Sequence, residues 1–192
     1  MSLLELIERA DERALAAGAL ACLDRCLPLL AEAGAEPLRP LWASCENGRD
    51  WAIRLAAVRT GMEHTSVTEG PAALVRTMLA AAPSEFAAVP LREWADACSL
   101  VALRIHGRLD VPAGEPAPDE EQLLKAARAG EPAAVGPLAA GELERQVRIL
   151  EILAETAGTA GSGAGLRKAL DLSTEGRRVL RAVMSRRARG RG

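Results

Sequence analysis

Apolar residues recur every three or four positions along almost the whole chain, and that spacing constrains the fold more than any other feature. Leu3, Leu6, Ile7, Ala10, Ala14 and Ala17 fall on one side of a helix that Ser2 and Glu5 open as a capping box, with Gly18 at its end. Leu20, Leu23, Leu27 and Leu30 form the next stripe, over 19–33, kinked or restarted at Pro28 and closed by Gly34. Shorter helices are expected around Leu41, Trp42 and Cys45, over 51–60 behind an Asp50 cap, and from Gly70-Pro71 to Leu79. Residues 90–106 carry Leu91, Trp94, Cys98, Val101 and Ile105 on one face and Leu100 and Leu103 on another, the mark of a central helix. Residues 119–129 and 142–157 supply two more.

Composition supports the helical reading. Aromatic residues make up 2% of the chain, one Phe and three Trp with no Tyr, too few for a β-sandwich or barrel. Hydrophobic residues at 49% and charged ones at 26% match a globular chain with a packed core. The expected fold is therefore all-α, an irregular multi-helix bundle of about eight or nine helices. A short HEAT-like α-solenoid is the alternative, because 27–34 and 77–83 look alike, although their spacing is not repeated elsewhere.

Proline and glycine divide the chain. A proline-rich connector over 111–118 lies inside a helical domain expected to span 1–157. Gly, Ser and Ala over 158–165 read as a flexible hinge, followed by a basic amphipathic segment over 166–192. In that segment Ser173 or Thr174 is expected to cap a last helix with Val179, Leu180, Val183 and Met184 on its apolar side. Removing 175–192 is expected to leave the body folded, since few core positions lie beyond the hinge.

Charge separates the same two parts. The net charge is −2, but seven arginines and one glutamate over 175–192 give that stretch +6, which leaves −8 on the rest. No window approaches 18 consecutive apolar residues and the first residues are acidic, so neither a membrane span nor an export signal is expected. With Cys22, Cys26, Cys45 and Cys98 far apart in a chain of this size, reduced thiols and a cytoplasmic setting are the expectation.

Four constellations compete for a functional role. Cys22 and Cys26, four apart on a helix, could share a metal, but Cys45, Cys98, His64 and His106 stand isolated, so packing is preferred and neither metal nor cofactor is expected. Asp50, Glu63 and His64 lie between expected helices and could serve a small enzyme, yet no nucleophile or metalloprotease signature accompanies them. The glycines over 158–165 lack the Lys and Ser or Thr of a nucleotide loop, and a helix rather than a strand precedes them. The fourth is the tail. Arg177, Arg178, Arg181, Arg186, Arg187 and Arg189 can bind an acidic partner or phosphates, and Trp42, near a short proline-flanked helix, is expected to be partly exposed as a further contact residue. The favoured function is a non-catalytic protein-interaction or adaptor module. The alternative is a DNA-associated regulator that contacts phosphates through the same tail, without any aromatic residue after Trp94 to stack on bases.

Overall fold

In the computed structural model, which describes residues 1–30, 37–62, 70–111, 120–131, 133–158 and 162–189, the capping box at Ser2 is complete. The Ser2 amide donates to Glu5 Oε2 at 2.8 Å and the Glu5 amide to Ser2 Oγ at 3.3 Å. This opens α1 (Leu3–Arg9), which stops earlier than the apolar stripe suggests. Asp11 starts a second helix, α2 (Glu12–Cys26), by accepting the Ala14 amide at 2.8 Å. Gly18 thus lies inside α2 and does not end a helix. Its missing side chain admits Leu150, whose Cδ2 lies 3.2 Å from where a Cβ would sit. Pro28 ends α2 by forming a 3-10 turn at Leu27–Leu29.

The remaining helices among the described residues are α3 (Arg39–Ser44), α4 (Trp51–Met62), α5 (Gly70–Ala80), α6 (Ala88–Asp110), α7 (Glu120–Ala129), α8 (Pro137–Glu155) and α9 (Ser162–Arg189). The fold is an all-α bundle of nine helices with no strand among the described residues. Most of the proline-rich connector lies outside the described residues.

Two helices start earlier than the sequence suggests. Helix α8 begins at Pro137 because Asp110, the last residue of α6, reaches across to accept the Leu138 amide at 2.9 Å and the Ala139 amide at 3.1 Å. A carboxylate from another helix thus supplies the N-terminal cap that local sequence lacks. Helix α9 begins at Ser162 and runs unbroken through Ser173 and Thr174, so the second half of the expected hinge, 162–165, is helical. Gly165 lies buried against Thr156, where a Cβ would be 3.0 Å from the Thr156 Cβ.

Helix α2 is the centre. Thirteen of its fifteen residues are buried, and it packs against α6, α8 and α9 together. Helix α8 in turn touches α1, α6 and α9. Contacts between helices so distant in sequence exclude the solenoid, in which each repeat meets only its neighbours. At one end, Trp51 packs edge-on against both Phe86 and Trp94, with ring centroids 5.5 and 5.9 Å away. The indoles of Trp51 and Trp94 donate to the carbonyls of Pro83 and Met78. The Asn47-Gly48 turn beside them requires glycine twice over, since Gly48 has φ +69° and a Cβ there would lie 2.5 Å from Phe86 Cδ1.

Candidate functional site

Polar side chains run through the middle of this apolar bundle. Arg25 on α2 and Glu142 on α8 are both wholly buried, and their side chains meet as a two-pronged pair, Nε to Oε2 at 2.7 Å and Nη2 to Oε1 at 2.6 Å. Gln146, one turn along α8, donates to Glu142 Oε1 at 2.8 Å and accepts from Ser99 Oγ of α6 at 2.6 Å. Arg128 of α7 extends the chain by donating to Ser99 Oγ and to the carboxylate of Asp96. His106 binds the Ala102 carbonyl through Nδ1 at 2.8 Å, and its Nε2 lies 3.7 Å from Glu142 Oε2. Burial alone would push the Glu142 carboxyl up, but the Arg25 charge and hydrogen bonds, aided by His106 and Gln146, hold it below its ordinary value.

A second buried pair sits beside the first. Asp24 of α2 accepts from Ser173 Oγ at 2.8 Å and from Arg177 Nη1 at 3.0 Å, both on α9. Gly176 lies between them, and a Cβ there would collide with the Arg25 side chain. Adjacent charges on α2 therefore fix two different helices: Asp24 fixes α9 and Arg25 fixes α8. Arg25 and Glu142 are sealed from solvent, and the seam ties α2, α6, α7, α8 and α9 together.

Other arginines close helix ends. Arg13 donates to the Leu153 carbonyl of α8 at 2.6 Å, and Arg59 to the carbonyls of Leu79, Ala80 and Ala82 at the end of α5. Arg187 donates to Leu109 O at 2.8 Å and Val111 O at 2.5 Å, capping α6. Each cation faces the negative end of a helix dipole and satisfies carbonyls that the helix leaves open.

The residues singled out from sequence separate into two groups. Arg177 and Arg187 face inward and are used by Asp24 and by the end of α6. Trp42 is 5% exposed, a core residue rather than the half-exposed one expected, because α3 packs it inward with Leu41 and Cys45. Arg178, Arg181, Arg186 and Arg189 are exposed on the outer side of α9 and form no ion pair among the described residues. At about 100° per residue they share one side of the helix, over about 16 Å of its length. Asp50 is exposed and pairs with Arg54 at 3.3 Å, while Glu63 and His64 lie outside the described residues. Gly158, with φ +64°, precedes residues 159–161, which also lie outside them.

All four cysteines are free and buried, and no group of three or more His, Cys, Asp or Glu among the described residues is arranged to hold a metal. Burial pushes the Cys22 thiol up to about 12 against the pull of Arg25, and it raises Cys26, Cys45 and Cys98 as well. Native protein at mildly alkaline pH is accordingly expected to leave all four thiols unreacted with Ellman's reagent, and denatured protein to expose four. Rapid labelling of any thiol in the native state would contradict the packing described.

No helix of the described residues is long and apolar enough to cross a membrane. The chain matches no protein-family model, no curated protein and no solved structure.

Proposed function

We propose that this chain is a non-catalytic interaction module, working in the reducing cytoplasm that four free thiols suit, and that its contact surface is the outer side of α9. The observation that carries this reading is the row formed by Arg178, Arg181, Arg186 and Arg189, exposed and without acidic partners among the described residues. Residues 176–192 contain no acidic side chain to offset the row. Its helix is also held in place by Arg177 and Arg187. A fixed row loses less conformational entropy on binding than a free tail would, which favours a structured acidic protein surface as partner.

The test compares the wild type with a variant in which Arg178, Arg181, Arg186 and Arg189 are all glutamine, on immobilised polyglutamate and on duplex DNA at matched salt. The variant is expected to melt with the wild type, because exposed charges contribute little to stability, and to lose at least about tenfold in affinity for polyglutamate. Unchanged polyglutamate binding would remove the row as the contact surface. Preferential binding of duplex DNA, with a steep loss on added salt, would replace the protein partner by nucleic acid.

A further inference from the structure

The outer side of α9 has an internal order that its total charge does not express. Arg178 and Arg181 form one pair and Arg186 and Arg189 another, their midpoints about 12 Å apart along the helix axis. The steps from one arginine to the next are three, five and three residues, so the spacing reads the same from either end. Between the pairs the exposed positions are Ala182 and Ser185, both small. Toward the start of α9 the sign reverses, because Asp171 and Glu175 are exposed on the same side, seven and three residues before Arg178.

To meet both arginine pairs, a partner element must run along α9. A helix advances by the same rise of about 1.5 Å per residue, so carboxylates at i, i+3, i+8 and i+11 would face the four arginines in register. A strand advances about 3.3 Å per residue and turns alternate side chains away. The small side chains of Ala182 and Ser185 leave room for a second helix at the usual interaxial distance of about 8–10 Å. An antiparallel course places the carboxylates toward the partner helix's own N-terminus, where its dipole favours them. Carboxylates continuing past Arg178 would face Asp171 and Glu175 and be repelled, whereas basic residues there would pair with them. We propose that the partner presents an α-helix antiparallel to α9, with carboxylates at i, i+3, i+8 and i+11 and basic residues at i+14 and i+18. This rests on α9 being the contact surface, and adds the form of the partner and its direction.

Alanine-rich labelled peptides, shown to be helical by circular dichroism, are titrated by fluorescence anisotropy with the full-length protein beside polyglutamate. One carries glutamates and lysines at the stated positions, a second has the same composition with the glutamates spread around the helix, and a third has glutamine in place of the lysines. The matched peptide is expected to bind about tenfold more tightly than the spread one, and several-fold more tightly than the glutamine one. In a variant with Asp171→Lys and Glu175→Lys the last order should reverse. A wild type that holds polyglutamate through the arginine row but binds matched and spread peptides equally overturns the helical partner and leaves the row as the contact surface. An unchanged order of the lysine and glutamine peptides in the variant overturns the antiparallel course. Failure to bind polyglutamate removes the row, and this partner with it.

Discussion

Glu142→Ala is expected to unfold the protein at a urea concentration far below that of the wild type, with a loss of about 3–5 kcal/mol. The substitution removes the carboxylate that Arg25 grips among the described residues and leaves its guanidinium fully buried. It also frees one end of Gln146, which links α8 to Ser99 of α6. The size of the loss does not mean that the ion pair itself contributes that much. Two charges withdrawn from water lose hydration that their mutual attraction only partly restores, so replacing both by leucine is expected to recover most of the stability. A double-mutant cycle with Arg25→Leu, Glu142→Leu and the pair together measures this coupling, and additive single effects would show that the two residues do not depend on one another.

The same pair gives a pH signature. Because the folded protein holds the Glu142 carboxyl below its ordinary value of 4.5, its contribution to stability is fully present above that value. It is lost as pH falls through the lower value of the folded state. The double leucine variant lacks this component, so its stability should fall less steeply than that of the wild type below about pH 4. Parallel acid profiles would mean that Glu142 does not titrate as the geometry requires.

Helices are legible in this sequence, and their ends are not. The stripe of Leu3, Leu6 and Ile7 and the Ser2–Glu5 box locate α1 at once, because capping and periodicity are local properties. The start of α8 depends on Asp110, 28 residues upstream of Leu138, and no local signal announces it. Gly18 reads as a terminator until Leu150 is placed against it. The glycines over 158–165 read as a hinge because flexibility is what such a composition has in isolation. Packing α9 on α2 and α8 supplies what the local sequence lacks, and residues 162–165 are helical. The polar seam left one trace in the sequence: Asp24 and Arg25 interrupt an apolar run that otherwise extends from Ala19 to Leu30. Two adjacent charges in a stripe of leucines require partners, and Glu142 and Arg177 could be matched to them only once the fold brought them within reach. The exposed arginines were legible because the helix period alone places Arg178, Arg181 and Arg189 opposite Leu180 and Val183.

Deleting 175–192 is expected to abolish cooperative unfolding or to lower the melting temperature drastically, the reverse of what a tail beyond a hinge implies. Truncation there removes Arg177, the α9 cation whose Nη1 donates to the buried Asp24 carboxylate. Removing one partner of a buried ion pair costs about 3–5 kcal/mol. It also removes Leu180, fully packed in the native state and worth roughly 2–3 kcal/mol of burial. Loss of Gly176 and its neighbours uncovers Arg25, and loss of Arg187 reopens the carbonyls at the end of α6. Set against a typical total of about 5–15 kcal/mol, these losses consume most of the stability of a domain this size. Circular dichroism during heating measures it, and a truncated protein that melts sharply within a few degrees of the full chain would show that α9 does not hold the bundle together. Arg177→Leu in the full-length chain distinguishes the causes. It removes the cation that Asp24 holds and leaves α9 in place, so a smaller loss than that of the truncation is expected. These effects follow from a single geometry: α9 turns Arg177 and Arg187 inward to hold the bundle and Arg178, Arg181, Arg186 and Arg189 outward, where their removal is expected to leave the fold unchanged.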